Sequence, residues 1–139
     1  MSAKLCIGTA QLGGTYGITN KKGLIDDLSA QEIIRTAIDS GVYYFDTAPS
    51  YGSAEEMVGK YTINHHKAKM ISKLNAQPEI RWSDLNAIDW ENDLLNTIKK
   101  LKVKCLDTFL VHQAADLMRE DNSILIEWLL SIRKRGLTK

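Results

Sequence analysis

In the stretch YYFDTAPSYGSAEE, residues 43–56, an apolar run ends on the acid Asp46, and Tyr51 and Gly52 follow within a few residues. The run VYYFD (42–46) is aromatic and β-branched at its start and reads as a buried strand. The turn formers of DTAPSYG end it. Ser53 and Glu56, three apart ahead of Met57 and Val58, make a capping-box pattern, which predicts a short helix running toward Tyr61. A strand that hands over to a helix in this way is one β/α unit, and the rest of the chain repeats it.

Upstream, KLCIGTA (4–10) reads as a strand entering the Gly-rich loop QLGGTYG. SAQEIIRTAIDSG (29–41) reads as a helix. Ser29 and Glu32 look like its cap pair, Ile33, Ile34, Ala37 and Ile38 share a face, and Gly41 suits a left-handed stop. Downstream, KMISK (69–73) is a third strand, and DWENDLLNTIKKL sets Trp90, Leu94, Leu95, Ile98 and Leu101 at helical spacing. LDTFLVH (106–112) is a fourth strand, SILIEWLLSIRKRG a fourth helix stopped at Gly136, and the closing LTK reads as the approach to another strand. About four strands alternating with four helices predict an α/β fold with a parallel sheet, because parallel strands need crossover connections. An open doubly wound sheet and part of a (β/α)₈ barrel both satisfy the pattern, the full barrel typically taking ~250 residues.

The 139 residues, 44% hydrophobic and 25% charged, predict a single domain, residues 1–139, with a real core. A formal charge of +1 leaves no electrostatic footprint for nucleic acid. Lys99, Lys100, Lys102 and Lys104 read as a solvated helix end that suits the C-terminal dipole. No apolar run approaches the ~18 residues of a membrane span, and MSAKLCIGTA lacks a signal-type apolar core, so a cytoplasmic location is expected. Cys6 and Cys105 sit far apart in apolar runs and read as buried free thiols. No cluster has metal-ligand spacing, and His65 and His66 read as surface residues. Trp90 and Trp128 read as packing residues on helix faces, and Trp82 as one that could approach a pocket.

In parallel α/β folds chemistry gathers at the C-terminal ends of the strands. There the chain sets Gly8, Thr9 and Ala10, then Asp46 and Tyr51, then Lys73, then His112. Each alone has an ordinary reading: Asp46 as a turn residue, Lys73 as a surface lysine, Tyr51 as a packing aromatic, His112 as a structural histidine. Together they suit one task. Free tyrosine titrates at about 10, and a nearby ammonium favours the phenolate. A carboxylate keeps the ammonium charged and in place. An imidazole can hydrogen-bond a carbonyl oxygen and turn it toward the phenol. Such a set protonates an oxygen as negative charge develops on it, and the missing electron source implies a hydride-donating cofactor.

These residues also carry a resemblance. GVYYFDTAPSYGSAEEMVGK resembles the signature segment of the aldo-keto reductases, G-x-x-x-x-D-T-A-x-x-Y-G-x-x-E. CIGTAQLGG resembles their first strand and loop, MISK their third strand ending in lysine, and LDTFLVH their fourth ending in histidine. The resemblance implies half of a (β/α)₈ barrel and reduction of aldehydes or ketones with NADPH, or sometimes NADH. It implies Tyr51 as general acid, Lys73 as the cation beside it, Asp46 as the partner of the lysine and His112 as the orienting residue. It further implies Gly8, Thr9, Ala10 and Asp46 near the nicotinamide ribose. The expected domain is therefore an N-terminal half-barrel whose C-terminal half, with most cofactor contacts, lies outside the sequence. Alone it is expected to bind cofactor weakly or not at all. Exposed edges at the first and fourth strands suggest a homo-oligomer. A non-catalytic binding or regulatory module on the same scaffold is the alternative.

Overall fold

A computed structural model describes residues 5–18, 20–21 and 23–139. The expected strand start at Lys4 lies outside them. The elements are β1 (Cys6–Gly8), a single turn α1 (Ala10–Gly13), α2 (Asp27–Asp39), β2 (Tyr44–Asp46), α3 (Ala54–Thr62) and β3 (Lys69–Leu74). Then come α4 (Asp84–Leu101), β4 (Thr108–Val111), a 3₁₀ turn (Ala114–Met118) and α5 (Asn122–Lys134). The alternation expected from sequence is present. α1 and the 3₁₀ turn are the additions, both too short to leave a periodic signal.

The strands lie in the order β1-β2-β3-β4, each parallel to the next. Neighbouring helices pack in the same succession, α2 on α3, α3 on α4 and α4 on α5. A doubly wound sheet would reverse its order at a switch point, and this one does not. The four units wind one way, as in part of a (β/α)₈ barrel. Leu137 and Thr138 continue the progression: the Leu106 N–H donates to the Leu137 carbonyl at 2.9 Å, and Thr138 bridges Leu106 in parallel.

Alternation along the strands sorts residues onto two faces. Phe45, Met70, Ser72 and Leu74 are buried beneath the helices, whereas Tyr44, Asp46, Lys69, Ile71 and Lys73 point to the opposite, inner face. The core lies between sheet and helices, around Ile34, Phe45, Val58, Leu94, Leu101 and Ile132, all within 1% of full burial. Its aromatic centre is a chain of rings, Trp82 to Trp90 at 5.3 Å, Trp90 to Trp128 at 5.5 Å and Trp128 to Phe109 at 6.0 Å. All three tryptophans, Trp82 included, are therefore core.

Three local expectations are corrected. Cys6 is exposed and Cys105 half-buried, not buried thiols. Cys6 alternates onto the inner face of an edge strand, which has a neighbour on one side only. Ser29 does not cap α2; Asp26 does, its carboxylate accepting from the Ser29 N–H at 2.9 Å and the Ser29 hydroxyl at 2.7 Å. Ser53 holds the cap position of α3 without a side-chain bond, and Glu56 is exposed, its carboxylate 3.6 Å from the Lys100 ammonium. Among the described residues, no helix is long and apolar enough to cross a membrane.

Candidate active site

The C-terminal ends of β2, β3 and β4 bring Asp46, Lys73 and His112 to one end of the sheet. The register places Asp46 beside Gly8 on one side and Ile71 on the other, and Lys73 beside Leu110. Past the paired residues, the Thr47 N–H donates to the Ile71 carbonyl (2.9 Å) and the His112 N–H to the Leu74 carbonyl (3.1 Å), so both segments stay in the ladder.

The Lys73 ammonium donates to the Asp46 carboxylate and, at 2.9 Å, to the Thr47 carbonyl. Lys73 is only 11% exposed and Asp46 37% exposed. An ammonium so enclosed needs these oxygens, since removal from water disfavours an unpaired charge. The same ammonium stands 5.0 Å from the centre of the Tyr51 ring. Tyr51 also meets His112 edge to face, the centroids 6.0 Å apart. The four residues expected from sequence therefore stand together.

Tyr51 is held by its own turn. Its N–H donates to the Ala48 carbonyl (3.0 Å), and its carbonyl accepts from the Ala54 N–H (3.1 Å). Gly52 adopts a φ of +59°, a conformation that L side chains rarely take. A second glycine matters as much. A Cβ on Gly13 would lie 1.7 Å from the Tyr51 carbonyl oxygen and 2.4 Å from the Ala54 nitrogen. The turn carrying Tyr51 is thus seated directly on the backbone that follows β1.

The β1 end contributes differently. A Cβ on Gly8 would meet nothing within 4 Å, so open space borders Asp46. Thr9 is fully buried, and its N–H and hydroxyl both donate to the Asp46 carbonyl at 3.0 Å. Ala10 is half-buried at the start of α1. Gly8 and Thr9 therefore flank the backbone that presents the Asp46 carboxylate, and Ala10 follows them in chain order. Among the described residues, no group of three or more His, Cys, Asp or Glu is arranged to hold a metal ion.

Several contributors escaped the sequence reading. Tyr16 stacks at a tilt on Tyr51, with centroids 6.3 Å apart. The loop GGTYG signals a turn but not which strand end it covers. Thr47 acts through its carbonyl, which no side-chain pattern reports. Gly13 matters through a contact made across the chain.

This arrangement sets an ammonium and an imidazole against a single phenol ring, the ammonium anchored by a carboxylate. The family model of the aldo/keto reductase family matches residues 4–120. The aldo-keto reductase YhdN of Bacillus subtilis (strain 168) is 30% identical over an alignment covering 80% of this chain and 34% of that protein. A crystal structure of a Pseudomonas aeruginosa protein named as an aldo-keto reductase superposes with a TM-score of 0.76 at 24% identity, covering 95% of this chain and 51% of its own. That of Gox0644 superposes with a TM-score of 0.61 at 21% identity, covering 92% and 42%. The chain thus spans about a third of the curated relative's length and half or less of the other's in the Gox0644 case. With the sheet order, the strand-end residues and the family match in agreement, the chain belongs to the aldo/keto reductase family.

Proposed function

We propose that the protein reduces aldehyde or ketone carbonyls, with NADPH or NADH as reductant and Tyr51 as the proton donor. The observation that carries this reading is the Lys73 ammonium, which is gripped by Asp46 and faces the Tyr51 ring at 5.0 Å. The open space at Gly8 and the partly exposed Asp46 carboxylate suit the ribose of a nicotinamide cofactor, since a carboxylate accepts hydrogen bonds from sugar hydroxyls. Gly8, Ala10 and Asp46 would border it, and Thr9 would act by fixing Asp46. When bound, the nicotinamide supplies a hydride to the carbonyl carbon.

The remaining work falls to side chains. His112 donates a hydrogen bond to the carbonyl oxygen and turns it toward Tyr51. The Tyr51 hydroxyl hands its proton to that oxygen as negative charge builds there, completing the alcohol. The phenolate left behind faces the Lys73 ammonium, whose charge favours it. Asp46 and the Thr47 carbonyl keep the ammonium from turning away.

The test joins this chain to the C-terminal part of the Bacillus subtilis relative and follows nicotinamide oxidation with an aldehyde. Tyr51→Phe is expected to lower turnover by about 100- to 10,000-fold, the usual contribution of a general acid. A folded, cofactor-binding protein that reduces no carbonyl, or a Tyr51→Phe variant with undiminished turnover, rejects the proposal.

A further inference from the structure

Glu55 takes no part in the chemistry above, yet it is a buried acid only four residues from Tyr51. It lies in the first turn of α3, 1% exposed. Its Oε1 accepts from the Ser72 hydroxyl at 2.8 Å, and the Thr97 hydroxyl of α4 lies near enough to favour its charged form. Burial pushes its pKa above the usual carboxylate range, and these hydroxyls and the nearby Lys100 charge offset part of that. An acid sealed from water is a poor choice if the site asks only for filling, because an apolar group of the same size would avoid the desolvation penalty.

Its partners explain the acid better than packing does. Ser72 precedes Lys73 on β3, so the two side chains leave the strand on opposite faces. Glu55 follows Tyr51 by four residues. Residues 51–55 therefore straddle the strand: Tyr51 meets Lys73 on the inner face, and Glu55 meets Ser72 on the helix face. Thr97 closes the grip from outside. α4 comes this near because α3 carries Gly59 there, where a Cβ would lie 2.2 Å from the Lys100 carbonyl oxygen.

We propose that Glu55 is a positioning residue: by holding Ser72 it sets the place of the Tyr51 ring along β3, opposite the Lys73 ammonium. This rests on the reading of Tyr51 and Lys73 as the proton-transfer pair, but its test does not need turnover. In the isotope-labelled chain, nuclear Overhauser contacts between the Tyr51 ring and the Lys73 side chain report the juxtaposition. Ser72→Ala removes the donor and is expected to abolish those contacts while amide shifts in β1, β2 and α5 stay in place. Ser72→Thr restores a hydroxyl, Glu55→Gln keeps an acceptor, and both are expected to retain the contacts. Contacts that persist at full strength in Ser72→Ala, that vanish equally in Ser72→Thr and Glu55→Gln, or that are missing from the unaltered chain each overturn the proposal. A protein with the contacts intact but no reductase activity instead defeats the functional reading and leaves Glu55 its role.

Discussion

Substituting Gly13 by alanine probes the link between fold and site. The added methyl carbon would sit 1.7 Å from the Tyr51 carbonyl oxygen, about 1.7 Å short of the 3.4 Å at which ordinary contact begins. The Ala54 nitrogen at 2.4 Å blocks the sideways escape. Both obstacles are backbone, so no change of rotamer relieves them. The Tyr51 turn must lift away from the β1 loop, or the loop must back off. Overpacking typically costs about 1–3 kcal/mol, and a clash with rigid backbone belongs at or above the top of that range. Any lift also separates Tyr51 from Lys73, and on the proton-transfer role proposed for them a misplacement of about 1 Å can cost about 100-fold in rate. Urea unfolding of Gly13→Ala should show the stability loss, and the Tyr51–Lys73 contacts should weaken with it. Gly14→Ala is the control. Gly14 has extended backbone, and a Cβ there meets nothing within 4 Å, so alanine should be neutral or stabilising by about 0.4–1 kcal/mol. Gly13→Ala within about 0.5 kcal/mol of the parent chain, the range of an inconsequential surface change, would refute the reasoning.

Two further outcomes follow from electrostatics. Burial raises the Glu55 pKa in the folded state, so in the window between the ordinary carboxylate value and the raised one the folded chain holds more protons than the unfolded chain. Stability attributable to Glu55 therefore falls as pH rises through that window and stays reduced above it. Glu55→Gln should remove this dependence, gaining on the parent chain as pH rises; parallel stability profiles would contradict it. The Cys6 thiol is pushed up first by desolvation and next by the negative charge of Asp46, so it should alkylate slowly at neutral pH for an exposed thiol. Asp46→Asn should speed the reaction, and an unchanged rate would show that Asp46 carries no charge felt at Cys6.

Much of the site was legible because its signals are local. The Asp46–Tyr51 spacing, the lysine closing KMISK and the histidine closing LDTFLVH lie within segments of a few residues, and strand ends are where a parallel fold collects chemistry. Caps were harder. Ser29 and Asp26 are both good capping residues three positions apart, and only the observed start of α2 at Asp27 separates acceptor from donor. Glu55 and Glu56 are adjacent and identical in type, yet one is sealed beneath α4 and the other faces water, because a helix turns about 100° per residue and the packing of α4 selects the face.

By itself the sequence determined the β/α alternation, the strand-end residues and the family, since each is written in periodicity or in short motifs. Tertiary structure alone decided the single winding direction, the exposure of Cys6, the seating of the Tyr51 turn on Gly13 and the grip of Glu55 on Ser72. These depend on which elements come to lie side by side. Residues 13 and 51, or 55 and 72, meet only after strands have paired and helices have docked, and no short window of sequence contains both partners.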